Sequence, residues 1–277
     1  MKNLLTRTFT GLVYVIVIVG GILGNSYTFL ALFSVVTVVC LWEFYRLIQT
    51  QKQAKIHLWY HCLGGGWMFV SMYLYASGIA SQAIFLTCLA YAVTVFILEL
   101  YEKQQDPVTH CASIFLGHCY ITFPLSMMNV LVFSADNTGA MQYNPVWVLA
   151  LFVFIWIYDT GAYLIGSRIG KHRLFERISP KKSWEGFFGG LFFTVIASWG
   201  FARFQPEIPY YHWVGLALVV AIFATWGDLV ESLIKRTVGV KDSGKILPGH
   251  GGFLDRFDSL LLAVYAMLFY VKVFIQN

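Results

Sequence analysis

Charged side chains are scarce in this chain of 277 residues. They make up 12% of the sequence, about half the share found in typical soluble domains, whereas hydrophobic residues make up 58%. The mean hydropathy is +0.67, and the apolar residues fall into runs of about 20, the length of a helix that crosses a bilayer. The composition therefore excludes an ordinary water-soluble domain and predicts an all-α, polytopic integral membrane protein.

Cysteine is also sparse. The five cysteines show no CxxC pair, so they indicate neither a zinc site nor a disulfide framework. The net charge of +5 is compatible with nucleic-acid binding, but the bases lie in loops between apolar runs, where they record membrane orientation. We therefore expect the lipid bilayer, and no nucleic acid, as a partner.

Nine apolar runs are candidate membrane spans. They cover residues of about 9–23, 27–48, 58–77, 79–101, 111–134, 146–167, 184–201, 211–234 and 253–275. Of the 19 Lys and Arg residues, 16 lie before span 1 or after spans 2, 4, 6 and 8. By the positive-inside rule this side is cytoplasmic, which predicts a cytoplasmic N-terminus and cytoplasmic loops at 168–183 and 235–252. Span 1 could also be a signal peptide, but it has no convincing cleavage site, so we expect a retained helix.

Charge is unevenly distributed along the chain. Residues 159–277 hold 22 of the 33 charged side chains. No soluble domain or fixed-period repeat is visible, so we expect residues 1–277 to form a single membrane-embedded domain. Within it, residues 1–158 are predicted to be an apolar helical scaffold of about five spans, and residues 159–277 the catalytic part.

Carboxylates lie near the ends of three predicted spans. An ionisable group at bilayer depth costs several kcal/mol, so each is a functional candidate. At helical spacing, the acids of span 8 share a face with Lys235, and the acids of span 9 share a face with each other. The acids are Asp159 in span 6, Asp228 and Glu231 in span 8, and Asp255 and Asp258 in span 9. Carboxylates from different helices suit Mg²⁺; the alternative is that they only pair with nearby Lys and Arg residues.

Two basic loops lie on the same predicted side as these acids. The first contains Ser179-Pro180-Lys181-Lys182, in which proline fixes the backbone before two cations, a geometry that favours a phosphate clamp. The second contains a glycine cluster whose backbone N–H groups can hold phosphate oxygens. Its residues are Pro248, Gly249, Gly251 and Gly252, flanked by Lys235, Arg236, Lys241, Lys245 and His250. A topology signal with headgroup attraction could explain the first loop, and a sharp turn the second.

Two stretches resemble one enzyme family. Ser232 to Asp258, SLIKRTVGVKDSGKILPGHGGFLDRFD, resembles the signature of the phosphatidate cytidylyltransferase (CDP-diacylglycerol synthase) family. Asp159 to Gly186 resembles a second shared stretch, with Ser167 where a basic residue is common and Ser183 where threonine is usual. The resemblance implies transfer of the cytidylyl group of CTP to phosphatidic acid, giving CDP-diacylglycerol and pyrophosphate. It also implies Mg²⁺ dependence, a homodimer in the cell membrane, and K⁺ as a candidate second cation.

On this basis the candidate residues receive roles. We expect Asp228 and Asp255 to hold Mg²⁺, with Asp258, Glu231 and Asp159 as further ligands or orienting groups. One set of phosphate contacts, for CTP, is expected from Lys235, Arg236, Lys241, His250, Gly251 and Gly252. The other, for the lipid phosphate, is expected from Ser179, Lys181, Lys182 and Arg256, and the two sets could be exchanged. The active site is expected at the cytoplasmic face.

Two other functions compete with this reading. A secondary transporter would also carry intramembrane carboxylates and interrupted helices, but near the membrane midplane and in paired halves. A CTP-dependent lipid kinase would transfer the γ-phosphate to a lipid alcohol and release CDP. The sequence favours the cytidylyltransferase because the acids gather at one boundary and the signature covers residues 232–258.

Overall fold

A computed structural model describes residues 2–52, 56–102, 105–136, 138–244 and 251–276, with side chains described from residue 8 onward except at 50–52. Most of these residues are helical, which confirms the all-α class. The α-helices are α1 (Lys2–Gly24), α2 (Ser26–Lys52), α3 (Leu58–Ala76), α4 (Phe85–Tyr101), α5 (Pro107–Gly117), α6 (Phe123–Val132), α7 (Val146–Ile169), α8 (Trp184–Phe204), α9 (Tyr210–Thr237) and α10 (Asp258–Tyr270).

Short irregular elements connect the helices. A π-helical turn, His118–Thr122, joins α5 to α6. The strands form two antiparallel hairpins, β1 (Phe133–Ala135) with β2 (Met141–Tyr143), and β3 (Arg173–Phe175) with β4 (Ser179–Ser183). The second hairpin carries the basic Ser179-Pro180-Lys181-Lys182 segment directly into α8.

The long helices are suited to a bilayer. In the described chain, seven helical segments are long and apolar enough to cross it: Ser26–Gln49, Gln82–Tyr101, Pro107–Val132, Val146–Ile169, Trp184–Phe204, Tyr210–Thr237 and Asp258–Ile275. The other two predicted spans are also helical, as α1 and α3. Helices α4 and α8 expose large apolar side chains such as Leu86, Leu89, Phe188 and Phe192, as lipid-facing helices do. The polytopic membrane class is confirmed, whereas the count of nine and the orientation stay predictions.

The contacts divide the chain into two units with interleaved ranges. Unit 1 is Met1–Pro145 with Asp242–Arg256, and unit 2 is Val146–Lys241 with Phe257–Asn277. The described residues 242–244 and 251–256 thus pack with the first half of the chain, although they follow α9 in sequence. The predicted single domain, with its scaffold (1–158) and catalytic part (159–277), stays a prediction.

Unit 1 is built around α2 and α3. Helix α2 packs against α1 and α3, and α3 packs against α6. Phe29, Phe33 and Phe69 are fully buried in this core. The Tyr91 hydroxyl links two histidines, lying 3.0 Å from His61 Nδ1 and 2.8 Å from His118 Nε2. Tyr91 thus gives each of these two buried histidines a hydrogen-bond partner, which offsets part of the cost of burying them.

Unit 2 is a bundle of α7, α8, α9 and α10. Trp213 is fully buried and stacks on Trp147 and Phe201, with ring centroids 5.3 Å apart in both pairs. Small residues allow α7 and α8 to approach closely. A Cβ on Gly186 would lie 2.9 Å from the Ala162 carbonyl oxygen, so this contact requires glycine.

The start of the last span differs from the prediction. Asp255 lies in a 3₁₀ turn, Leu254–Arg256, and α10 begins only at Asp258, so the expectation that both acids share one helix face is wrong. The physical reason is that the Asp255 carboxylate accepts a hydrogen bond from the Gly252 N–H (2.9 Å). Asp255 therefore packs with the loop that contains Gly251 and Gly252, called the glycine loop below, instead of continuing α10.

Gly227 sets the separation of α9 and α10. A Cβ at this position would lie 2.5 Å from the Asp258 carbonyl oxygen and 3.1 Å from the Ser259 Cα. Since both neighbours are backbone atoms, neither can rotate away.

We expect Gly227→Ala to lower the melting temperature in detergent, with a loss of about 1–3 kcal/mol from overpacking. Gly200→Ala is the matched control, because a Cβ there meets nothing within 4 Å. Alanine in that helix should be neutral or stabilising, by up to about 1 kcal/mol. Equal melting temperatures for the two variants would contradict the close contact.

Candidate active site

Three carboxylates of unit 2 come from three helices. Asp159 is on α7, Asp228 on α9, and Asp258 is the first residue of α10. The close contact at Gly227 places Asp228 beside the start of α10, and the carboxylate of Asp258 feels the charges of both other acids. Like charges repel one another, and a bound cation would offset this repulsion.

A cavity of about 590 Å³ opens beside this cluster, within the size range of small-ligand sites. Its wall contains the acids Asp159 and Asp228 together with the bases Arg173, Lys181 and Lys182. The rest of the lining comes from α7, α8 and residues 170–183. It includes Gly166, Ser167, Gly170, Pro180, Ser183 and Gly186 together with larger side chains such as Tyr158, Tyr163 and Phe187. A cavity with both signs of charge can hold an anionic ligand and a cation together.

Lys182 and Asp228 are paired across the cavity wall. The distance from Lys182 Nζ to Asp228 Oδ2 is 2.6 Å, and the side chains are 25% and 31% exposed. An ion pair this accessible to water contributes little stability, at most about 1 kcal/mol. Both groups can therefore be redirected to a ligand at low cost.

The β3–β4 hairpin positions these lysines. Ser183 ends β4 and caps α8, because its hydroxyl accepts a hydrogen bond from the Gly186 N–H (3.2 Å). The Trp184 N–H donates to the His172 carbonyl (2.9 Å), which closes the base of the hairpin. Lys181 and Lys182 therefore lie on an extended strand that is fixed at its end. Ser179, the first residue of that strand, is half-buried, and the described lining of the cavity does not include it.

Glu231 and Lys235 form a separate buried pair on α9. They are 1% and 8% exposed, and the Lys235 ammonium donates to Glu231 Oε2. The described lining of the cavity includes Asp228 but neither of these two residues. The predicted shared face of Asp228, Glu231 and Lys235 is thus divided between two environments.

The remaining basic candidates lie at the end of α9 and beyond it. The Arg236 guanidinium donates to the Val240 carbonyl (3.1 Å), and Lys241 is exposed. Arg256 is exposed, and its carbonyl accepts a hydrogen bond from the Tyr14 hydroxyl (3.3 Å). His250 lies outside the described residues.

Asp255 organises the glycine loop of unit 1. Its carboxylate accepts hydrogen bonds from the Gly252 N–H (2.9 Å) and the Ser243 N–H (3.3 Å). Gly251 has φ +83°, a conformation that side chains disfavour. The Gly252 amide, predicted to hold a phosphate, is engaged by Asp255 in this structure. Asp228 belongs to unit 2 and Asp255 to unit 1, and the metal pair expected of them stays a prediction.

Glu43 on α2 is a residue of this loop environment that the sequence analysis missed. It is 2% exposed, and its Oε2 accepts hydrogen bonds from the Ser243 hydroxyl (3.0 Å) and the Leu254 N–H (2.6 Å). Its Oε1 has no hydrogen-bond partner among the described residues and lies against Gly244. The sequence could have identified Glu43 as a candidate, because it is a lone acidic residue in an apolar span.

Comparison with known proteins identifies the family. A sequence model of the cytidylyltransferase family matches residues 5–274, nearly the whole chain. The chain belongs to the cytidylyltransferase family. This result confirms the resemblance noted in residues 159–186 and 232–258.

Individual members of the family are similar over different lengths. Phosphatidate cytidylyltransferase of Bacillus subtilis (strain 168) is 32% identical over 283 residues, covering 99% of this chain and 100% of that protein. Phosphatidate cytidylyltransferase of Staphylococcus aureus (strain COL) is 49% identical over 123 residues, covering 43% of this chain and 46% of that protein. The enzyme of the same name from Staphylococcus epidermidis is 46% identical over 148 residues, covering 53% and 55%.

The donor set of the three-helix cluster fits Mg²⁺. Asp159, Asp228 and Asp258 offer only carboxylate oxygens, the hard ligands that this ion prefers. A site of this kind leaves positions for substrate phosphates, and the basic residues of the cavity are within the same lining.

We expect Glu43→Ala to destabilise the loop 242–256. The Ser243 hydroxyl and the Leu254 amide would be left buried without their acceptor, at a cost of about 1–3 kcal/mol. Limited trypsin digestion of the detergent-solubilised protein should cut faster after Lys241, which is exposed.

The matched control is Glu207→Ala, an exposed glutamate before α9. It should leave both the digestion rate and the melting temperature unchanged. Digestion of the Glu43 variant at the wild-type rate would show that Glu43 does not hold the loop.

Proposed function

We propose that this chain transfers the cytidylyl group of CTP to phosphatidate, giving CDP-diacylglycerol and pyrophosphate. The observation that carries this proposal is the match to the cytidylyltransferase family over residues 5–274, which includes every element of the cavity. The relatives named phosphatidate cytidylyltransferase support the choice of substrate. The acidic and basic lining of the cavity is what an anionic, metal-binding substrate pair requires.

The reaction needs alignment more than proton transfer. The phosphatidate phosphate is already an anion near neutral pH, so an oxygen of it can attack the α-phosphorus of CTP without a general base. The bond between the α-phosphorus and the bridging oxygen breaks, and pyrophosphate leaves with that oxygen. The task of the protein is to hold two anions in line and offset their charge.

Within the cavity, the residues proposed to hold the anionic substrates and offset their charge are Lys181, Lys182 and Arg173. Lys182 can exchange Asp228 for a phosphate oxygen, because its ion pair is accessible and weak. Ser179 and Arg256 are proposed to assist with the lipid phosphate. Release of Lys182 would at the same time free Asp228 for a cation.

Mg²⁺ is the proposed cofactor, held by Asp228 and Asp258 with Asp159, and by Asp255 from the glycine loop. When bound, the ion supplies charge neutralisation and polarises a phosphoryl oxygen. Glu231 is proposed to hold Lys235 in place instead of binding the metal, since the two form a buried pair. K⁺ is proposed as a second cation on the resemblance alone.

The CTP phosphates beyond the α position are assigned to the remaining bases. Arg236, Lys241, His250 and the Gly251 amide are the proposed contacts, and Lys235 a nearby positive charge. The assignments to CTP and to lipid can be exchanged.

The active site is proposed to face the cytoplasm from the cell membrane. The support is the basic alternation of the loops, in which 16 of 19 bases lie on one side of the predicted spans. CTP is a cytoplasmic nucleotide, so this orientation matches the substrate. A homodimer is proposed on the resemblance to the family.

The decisive experiment determines where the α-phosphate and the γ-phosphate of CTP are found after the reaction. Purified protein, phosphatidic acid and Mg²⁺ are incubated with CTP labelled at the α- or the γ-phosphate, and the lipids are extracted. We expect α-label in the lipid fraction and γ-label in pyrophosphate. Transfer of γ-label to lipid with release of CDP would instead identify a lipid kinase.

We expect Asp228→Asn and Asp255→Asn to lower product formation by about 100-fold or more, the scale of losing a preorganised electrostatic group. Each substitution keeps the shape of the side chain and removes its charge. The matched control is Glu176→Gln, an exposed acid on the β3–β4 turn, which should retain activity. Wild-type turnover by either aspartate variant, with folding verified by gel filtration, would exclude that residue as a metal ligand.

A further inference from the structure

A second cluster of ligand groups lies in unit 1. Glu99 is in the last turns of α4, Glu102 follows that helix, and His110 is in the first turn of α5. One ligand atom from each of these residues lies within 4.8 Å of the others. The proposed reaction uses none of them, and Asp159, Asp228 and Asp258 belong to unit 2.

Two members of the cluster are buried with unsatisfied atoms. The side chains of His110 and Glu99 are 2% and 8% exposed, and His110 Nδ1 lies 2.5 Å from Glu99 Oε2. His110 Nε2 and Glu99 Oε1 are also buried, and the described part of the chain offers neither a hydrogen-bond partner. A buried polar atom without a partner is unfavourable, so the contact between His110 and Glu99 leaves polar atoms of both side chains unsatisfied.

A simple ion pair is also poorly placed on these helices. Glu99 would put a negative charge at the C-terminal end of α4, where the helix dipole is already negative. A protonated His110 would put a positive charge at the N-terminal end of α5, where the helix dipole is already positive. Neutral imidazole with two carboxylates around a divalent cation removes both conflicts, since the carboxylates balance the ion.

We propose that Glu99, Glu102 and His110 bind a divalent transition-metal ion of the Zn²⁺ class. Imidazole and carboxylate are its usual ligands, whereas Mg²⁺ selects oxygen donors alone. Tetrahedral bonds of about 2.0–2.2 Å place donor atoms about 3.4 Å apart. The present arrangement therefore needs shifts of only about 1 Å to close on an ion.

His57 completes the surroundings of the cluster. Its Nε2 lies 2.7 Å from Glu102 Oε1, and its side chain is 65% exposed. It either orients Glu102 or supplies a fourth ligand. Bound metal would join the segment before α3 to the end of α4 and the start of α5, which gives the site a stabilising role in unit 1.

The test measures Zn²⁺ itself on the full-length protein in detergent. Chelator-treated wild type is titrated with Zn²⁺ in the presence of millimolar Mg²⁺ and compared with His110→Gln. Glutamine preserves a hydrogen bond to Glu99 and removes the imidazole. We expect one tightly bound ion in the wild type and an affinity at least about 100-fold weaker in the variant, because loss of even an outer-shell partner costs 10- to 100-fold.

His172→Gln is the matched control. His172 Nδ1 lies 2.7 Å from Glu185 in a pair of the same chemistry, but His172 is 80% exposed, and among the described residues the pair belongs to no group of three ligand side chains. The control should bind Zn²⁺ like the wild type, and Zn²⁺ should raise the melting temperature of both but not that of His110→Gln. Equal binding by His110→Gln, or no binding by the wild type at micromolar Zn²⁺, would overturn the proposal.

X-ray absorption at the zinc edge keeps the proposal testable if His110→Gln fails to fold. The expected shell contains nitrogen and oxygen at about 2.0–2.2 Å, whereas thiolate ligands lie at about 2.3 Å. None of the five cysteines forms a disulfide; Cys119 is exposed, and Cys111 adjoins His110. A sulfur shell in the wild type would assign the ion to cysteine and contradict the site.

Discussion

A charge held next to hydrocarbon needs an opposite charge or a hydrogen bond beside it, and this requirement shapes every polar feature of the protein. Lys235 is buried because Glu231 is buried with it, one helical turn away. Glu43 is buried because the Ser243 hydroxyl and the Leu254 amide donate to it. The acids of α7, α9 and α10 are the proposed site of a cation, which would offset their negative charges.

Close helix contacts bring those acids together. Gly227 lets the backbone of α10 approach α9, and Gly186 does the same for α8 against α7. The three carboxylates are thus carried by packed helices and not by loops. A site built on packed helices is also rigid, which suits a reaction whose barrier is lowered by alignment and charge.

The first half of the chain contributes a side chain, Glu43, that binds the loop between α9 and α10. The Asp255 carboxylate accepts hydrogen bonds from the backbone N–H groups of Ser243 and Gly252. Glu43 accepts a hydrogen bond from the hydroxyl of the same serine. The loop therefore depends on a side chain of α2 that lies 200 residues earlier. One of the few charged residues of this half therefore supports a loop that carries proposed active-site residues, whereas the division into scaffold and catalytic part stays a prediction.

Composition and motif spacing by themselves determined the membrane class, the helical segments and the family, because the bilayer imposes length and hydropathy on every span and the signature is local in sequence. The same local information located Asp159, Asp228, Lys181 and Lys182, which the structure brings to one cavity. Only the tertiary structure showed that Asp255 accepts a hydrogen bond from the Gly252 N–H and lies outside α10. It also showed that Glu231 accepts a hydrogen bond from Lys235, and Glu43 one from the Ser243 hydroxyl. The hydrogen-bond partner of a buried charged group is the group that tertiary packing places beside it. The distance between two groups far apart in the sequence cannot be derived from local sequence patterns.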